Sequence, residues 1–169
     1  MATTFVKIAT VTVGAGGAAS MDFTSIPSTY TDLVLKVSGK GTFTTGVADS
    51  AYIRFNGSST SYSSRRLQGD GSVANSTTFT EIYFRIDNTG TGQTSIFGNA
   101  ELYIPNYAGS TNKSVSSDSV EENNGTEAYT NLNAGLWSNT AAINQITLYP
   151  NNGNFAQYST ATLYGISKS

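Results

Sequence analysis

Residues 11–30, VTVGAGGAASMDFTSIPSTY, distinguish between two folds for this chain. The run Gly14–Ala19 matches the glycine spacing of a dinucleotide-binding turn, which needs a helix directly after it to hold the pyrophosphate. Here Met21 and Phe23 alternate with polar residues and Pro27 soon interrupts the segment, so the pattern predicts no helix. We therefore predict a strand–turn–strand connection, with glycines that permit tight backbone geometry, and no bound nucleotide.

The composition also favours strands. Charged residues make up 12 % of the 169-residue chain, about half the usual share of roughly 25 %. Ser, Thr, Asn and Gly take their place. Ser, Thr and Asn are poor in helix interiors because their short side chains compete for backbone hydrogen bonds. Thr, Tyr, Phe, Val and Ile favour strands, so the composition alone predicts an all-β protein.

Short runs of alternating apolar and polar residues repeat along the chain. In DLVLKVSG, residues 32–39, Leu33, Leu35 and Val37 share one face of a predicted strand. In the first run along the chain, TFVKIATVTV (4–13), the apolar positions change from even to odd residue numbers, which predicts a bulge near Ala9-Thr10. The other runs are AYIRFNG (51–57), TFTEIYFRI (78–86), SIFGNAELYIP (95–105), KSVSSDSV (113–120), EAYTNLNAGLW (127–137), NQITLYP (144–150) and STATLYGI (159–166).

These runs are separated by turns rich in Gly and Asn, and no segment has helical periodicity over several turns. We predict one antiparallel, jelly-roll-like β-sandwich domain over residues 1–169, with about 8–10 strands. Residues 1–4 could form a short N-terminal arm.

Several classes of function are disfavoured. The net charge is −2 and the only basic pair is Arg65-Arg66, which argues against nucleic-acid binding. The chain has no Cys or His, so the usual Ser-His-Asp and Cys-His catalytic groups cannot form. No run reaches the roughly 20 apolar residues of a membrane span, and we expect no cleaved signal. We predict no enzyme activity, catalytic residues, cofactor or metal site.

Acidic residues offer two weaker candidate sites. The segment 118–127, DSVEENNGTE, contains oxygen ligands of the kind that calcium prefers, but its spacing matches no EF-hand loop, so we expect a solvated hairpin tip. Glu81 and Glu101 are predicted on the outward faces of strands, where nothing marks them as the carboxylate pair of a glycosidase.

Five tyrosines are predicted on or beside the polar faces of strands. Exposed tyrosines can stack on sugar rings or line an oligomer interface, and half-buried tyrosines commonly form cross-strand pairs. The sequence leaves these three roles open. The residues are Tyr52, Tyr83, Tyr103, Tyr107 and Tyr129.

Two segments resemble small virion structural proteins of tailed phages that infect cyanobacteria and marine bacteria. They are MATTFVKIATVTVGAGGAASMDFTSIPSTYTDLVLKVSG (1–39) and LWSNTAAINQITLYPNNGNFAQYSTATLYGI (136–166). The resemblance implies a phage-particle component in which the strand Ser159 to Ile166 closes a β-sandwich. It implies no catalytic residues.

Two hypotheses about function follow from that resemblance. The first is a head decoration, or cement, protein that is soluble in the host cytoplasm before assembly and then bridges major capsid subunits on the capsid exterior. By analogy with local threefold capsid sites we expect a homotrimer. The alternative is a tail-fibre or spike module that binds host-surface glycans through exposed tyrosines.

Overall fold

The protein is built from strands. The computed structural model describes residues 4–45, 48–87, 95–122, 124 and 128–167. None of these residues forms a helix with the length and apolar character needed to cross a membrane. The described residues form twelve strands: β1 (Phe5–Thr12), β2 (Met21–Phe23), β3 (Asp32–Gly39), β4 (Ala48–Phe55), β5 (Tyr62–Gly69), β6 (Ala74–Phe79), β7 (Ile82–Asp87), β8 (Gly98–Pro105), β9 (Lys113–Glu121), β10 (Tyr129–Trp137), β11 (Ile146–Pro150) and β12 (Thr160–Ile166).

Two antiparallel sheets form the sandwich. The larger sheet has the order β1-β12-β3-β8-β9-β10-β5-β6, and the smaller has the order β2-β11-β4-β7. The half-sheet β1-β12-β3-β8 opposite β2-β11-β4-β7 has the strand order of an eight-stranded jelly roll. Two hairpins, β5–β6 and β9–β10, are inserted into this jelly roll and lengthen the larger sheet beyond β8. We call β9, β10, β5 and β6 the extension.

The predicted antiparallel, jelly-roll-like sandwich is confirmed, with more strands than expected. The alternation did not reveal β5 or β6, because their sequences YSSRRLQG and ANSTTF contain few apolar residues. The prediction of one strand over residues 78–86 was wrong, because β6 ends at Phe79 and β7 begins at Ile82. The bulge predicted near Ala9-Thr10 is present, as a register shift between Lys7 and Ala9.

The jelly roll encloses an apolar core. Leu35 of β3 and Leu102 of β8 are paired in register, and both are fully buried. On the smaller sheet Ile53 of β4 and Phe84 of β7 are equally buried and belong to the same cluster. Removal of such side chains from water stabilises the fold by roughly 1.5–3 kcal/mol each.

The extension packs against the end of the smaller sheet, where β7 is the last strand. The side chains that it turns inward are mostly polar. Strand β9 buries Ser117 and Ser119, and β10 buries Asn131 and Asn133. On β5 the buried inward side chains include Ser64 and Gln68.

These polar side chains bind the backbone edge of β7. The Arg85 amide donates to Ser119 Oγ at 3.0 Å. The Tyr83 carbonyl accepts from Asn133 Nδ2 at 2.8 Å and from Ser117 Oγ at 3.3 Å. Buried backbone donors and acceptors require partners, and here side chains supply the bonds that a further strand would make. The edge of β7 is therefore covered.

Candidate functional site

An open groove of about 580 Å³ crosses the outer face of the extension and β8. Alternation along each strand turns one set of side chains away from the polar interior and into this groove. We call it the outer groove. Its outward-facing residues are Arg65, Leu67, Ser76, Glu101, Tyr103, Ser116, Asp118, Leu132 and Ala134.

One row of the outer groove combines charge with apolar surface. Glu101 lies opposite Asp118, Asp118 opposite Leu132, and Leu132 opposite Leu67. Lys36, on the neighbouring strand β3, forms an ion pair with Glu101 at 2.6 Å. The hydrogen bond to Glu101 raises the pKa of Lys36. The carboxylates can accept hydrogen bonds, and the two leucines offer an apolar surface beside them.

The adjacent row contains Tyr103, Ser116 and Arg65, at positions that face one another across β8, β9, β10 and β5. The Tyr103 hydroxyl donates to Asp32 Oδ2 at 2.8 Å, and this bond raises the pKa of Tyr103. Tyr103 is 37 % exposed, so the hydrogen bond fixes its hydroxyl while part of its surface remains open to a ligand. The arrangement is suited to noncovalent recognition.

Exposed apolar residues concentrate at this side of the molecule. Of the seven large apolar side chains that are exposed among the described residues, four belong to β8 or the extension, and a fifth, Val73, lies in the turn between β5 and β6. Monomeric proteins rarely expose large contiguous apolar patches that have no function. The five are Leu67, Val73, Tyr103, Val120 and Leu132.

The tyrosine prediction holds only in part. Tyr103 lies in the outer groove, whereas Tyr52 and Tyr129 are half-buried. Tyr83 and Tyr107 are both buried, and Tyr107 belongs to the apolar core and not to a polar face as predicted. Tyr83 points away from the apolar core as expected, but the extension covers it, and its hydroxyl donates to Asn131 Oδ1 at 2.8 Å.

Tyr107 follows β8 in a turn, where its hydroxyl donates to the Pro27 carbonyl. Burial is the main cause of its raised pKa.

Arg65 and Arg66, the only adjacent basic residues in the sequence, point to opposite faces of β5. Arg65 is exposed in the outer groove. Arg66 turns inward, where its Nη1 donates to the Tyr83 hydroxyl at 2.9 Å and its guanidinium lies 5.0 Å from the centre of the Phe79 ring. Adjacent positions on a strand face opposite sides, so the pair forms no common basic patch.

The acidic segment is divided in the same way. Asp118 faces the outer groove, Glu121 is buried on the other face, and Glu122 is exposed beyond the end of β9. Residues 123 and 125–127 of this segment lie outside the described part of the chain. Within the described part, no three acidic, His or Cys residues are grouped as metal ligands.

Glu81 and Glu101 have separate environments. Glu81 lies in the turn before β7, not on a strand as predicted, and it approaches Arg54 at 3.6 Å. Glu101 is on β8, where its acidic neighbour is Asp118. Sequence reasoning missed the Glu101–Asp118 pair because no local pattern gives the register between β8 and β9.

The glycine segment forms the predicted turn. Gly16 and Gly17 have φ angles of 94° and 78°, and the chain continues directly into β2. A Cβ atom at Gly17 would lie 2.7 Å from the Phe155 carbonyl oxygen. Phe155 forms an isolated antiparallel bridge with Ala18. The glycines therefore permit a close backbone approach, and the strand–turn–strand prediction is confirmed. Strands β1 and β2 belong to different sheets, so the turn is not a hairpin.

Comparison of the chain with protein-family models, curated proteins and solved structures gave no match.

Proposed function

We propose that this protein is a non-enzymatic virion structural protein, a decoration protein that binds the exterior of a phage capsid and bridges neighbouring major capsid subunits. The jelly roll is an architecture of viral capsid proteins and of lectins. The two terminal segments that resemble phage virion proteins form β1 to β3 and β11 to β12, most of the jelly roll. Fold alone does not determine function, so the proposal depends on the surface.

The concentration of exposed apolar side chains on β8 and the extension carries the proposal. Leu67 and Leu132 lie directly opposite each other and are 52 % and 57 % exposed. Burial of this face against capsid subunits would contribute roughly 25 cal/mol per Å² of apolar area. Simultaneous contact with more than one subunit would raise the overall affinity without stronger individual contacts.

The test measures rebinding of the purified protein to capsids from which it has been removed. We expect Leu132→Asp to weaken rebinding by about tenfold or more, because the substitution places a charge at the centre of the apolar face. The control is Tyr158→Asp, which changes an exposed aromatic residue outside the outer groove. Equal binding of both variants would contradict the proposal.

A second measurement examines cementing itself. Capsids that lack the protein should lose integrity at lower temperature or in lower salt than complete capsids. A few copies per particle, or unchanged survival of the stripped capsids, would exclude a cementing role.

The outer groove supports a second candidate function, recognition of host-surface glycans. Tyr103 offers a ring face, Asp118 accepts hydrogen bonds, and Arg65 donates them, which is a combination suited to sugars. On a glycan array the wild-type protein should show saturable binding that Tyr103→Ala and Asp118→Ala abolish. Wild-type binding to capsids without glycan binding would favour the decoration role.

A further inference from the structure

We propose that the free edge of β6 pairs antiparallel with β6 of a second copy of this chain, so that two eight-stranded sheets become one continuous sheet. The inference rests on the four strands that end the two sheets: β1, β6, β2 and β7. It does not depend on the proposed function.

Three of these edges are protected against further pairing. The edge of β7 is bound by side chains of Ser117, Ser119 and Asn133. Strand β2 has only three residues, one of them the charged Asp22. Strand β1 has a bulge next to the exposed Lys7. Short length, charge and bulges are the usual means by which proteins block edge-to-edge association.

The edge of β6 has none of these features. Its sequence, Ala74–Phe79, contains no charge and no proline, and its pairing with β5 runs without interruption from Ser64–Phe79 to Gly69–Ala74. No described strand pairs with its far side. The ring of Phe79 packs 5.1 Å from that of Tyr83, so the strand is held in place by the interior. A straight row of backbone donors and acceptors is left open.

A second copy is the occupant that this edge fits. In a two-fold antiparallel pair, directly opposed residues point to the same face, so the axis passes through Ser76 or Thr77. Centred on Ser76, Asn75 would lie opposite Thr77; centred on Thr77, Ser76 would lie opposite Thr78. Each arrangement places hydroxyl and amide groups together, which favours pairing, and brings no like charges together.

The same two-fold axis would be perpendicular to the sheet. Both outer grooves would then open on the same side of the joined sheet, and the dimer would present two copies of one binding face. Such a dimer is closed and isologous, so it would not grow into a fibre.

The first experiment measures mass in solution as a function of concentration by analytical ultracentrifugation. Wild type should form a dimer of the 17.8 kDa chain. The double variant Ser76→Lys/Thr78→Lys should raise the dissociation constant by about tenfold or more, because lysines would face each other in either register. The control Thr10→Lys/Thr12→Lys adds the same charges on exposed positions of β1 and should leave the dimer unchanged.

A second experiment uses the absence of cysteine from the chain. Opposed residues have Cα atoms about 4.5–5.5 Å apart, within the range of a disulfide. Under mild oxidation Ser76→Cys or Thr77→Cys should form a covalent dimer, and Thr10→Cys should not. A monomer at all concentrations, a trimer as the phage resemblance led us to expect, or a dimer that the lysines leave intact would overturn the inference.

Discussion

The jelly roll and the extension share one eight-stranded sheet but turn opposite chemistry inward. In β3 and β8 the inward side chains are apolar, as with Leu35 and Leu102. In β9 and β10 the equivalent positions hold Ser119 and Asn133. The difference follows from what each part covers. The jelly roll faces another sheet, which offers apolar side chains, whereas the extension faces a strand edge, which offers backbone donors and acceptors.

Strand β7 separates the two environments. Phe84 points into the apolar core, and its neighbour Tyr83 points into the polar interior of the extension. Substitutions at these two adjacent residues therefore compare the stability contributed by the apolar core with that contributed by the polar interior. The predictions below use this pair first and then move to single contacts.

Phe84→Ala should cause the largest loss of stability. Phe84 is fully buried, and truncation of such a ring removes apolar contacts and leaves a cavity, at a cost of about 3–5 kcal/mol. Urea unfolding, followed by two probes to establish two-state behaviour, measures the change. A loss below about 1 kcal/mol would mean that this part of the core is not packed as described.

Tyr83→Phe should cost about 2 kcal/mol, since it removes the hydroxyl partner of the buried Asn131 and of the half-buried Arg66. The hydroxyl now donates to Asn131 and accepts from Arg66, while the ring itself would be retained. The same urea titration measures this loss of stability. If the variant were as stable as wild type, the polar interior would contribute little, and the contrast between the two halves would concern composition only.

Ser119→Ala should cost about 1 kcal/mol, because it removes the acceptor of the Arg85 amide at the edge of β7. The matched control is Ser116→Ala, on the same strand but facing solvent, where we expect a change within about 0.5 kcal/mol. Equal effects of the two substitutions would show that the edge of β7 is not held by this hydroxyl.

The smallest expected effect is a pH dependence of the unfolding free energy that is caused by Asp49. This carboxyl is buried at the end of β4, and burial raises its pKa although Ser50 and Asn152 donate hydrogen bonds to it. The folded state therefore holds the proton more tightly than the unfolded state. Wild type should gain stability relative to Asp49→Asn as pH falls through the raised pKa, and the gain is complete below the unfolded-state pKa.

Unfolding free energies of wild type and Asp49→Asn between about pH 6 and pH 3 provide the measurement. A difference that stays constant with pH, or that favours the variant at low pH, would contradict the burial of this carboxyl.

Local pattern predicted the jelly roll better than it predicted the extension. Leu33, Leu35 and Val37 alternate because they face apolar neighbours, so their strand was evident from the sequence. Strand β5 turns Ser64, Arg66 and Gln68 inward, and no apolar periodicity marks it. Its place is determined by pairing with β10, which only the folded chain brings beside it.

The outer groove lay beyond sequence reasoning for the same reason. Glu101, Asp118, Leu132 and Leu67 come from four strands that are distant in sequence, and only the register aligns them in one row. Tyr83 shows that a correctly predicted strand face does not give the burial of a residue. Its parity was predicted correctly, but the strands that cover it could not be foreseen from its own neighbourhood.

The bond between the Arg85 amide and Ser119 has a consequence for local opening. Most strand amides exchange with deuterium only when two hydrogen-bonded backbones separate, whereas this amide is released when β9 lifts from β7 and takes the Ser119 hydroxyl with it. Its protection factor therefore reports the free energy of detaching the extension, apart from global unfolding. Exchange at the labelled amide nitrogen of Arg85 would show whether the extension and the jelly roll open together or one at a time.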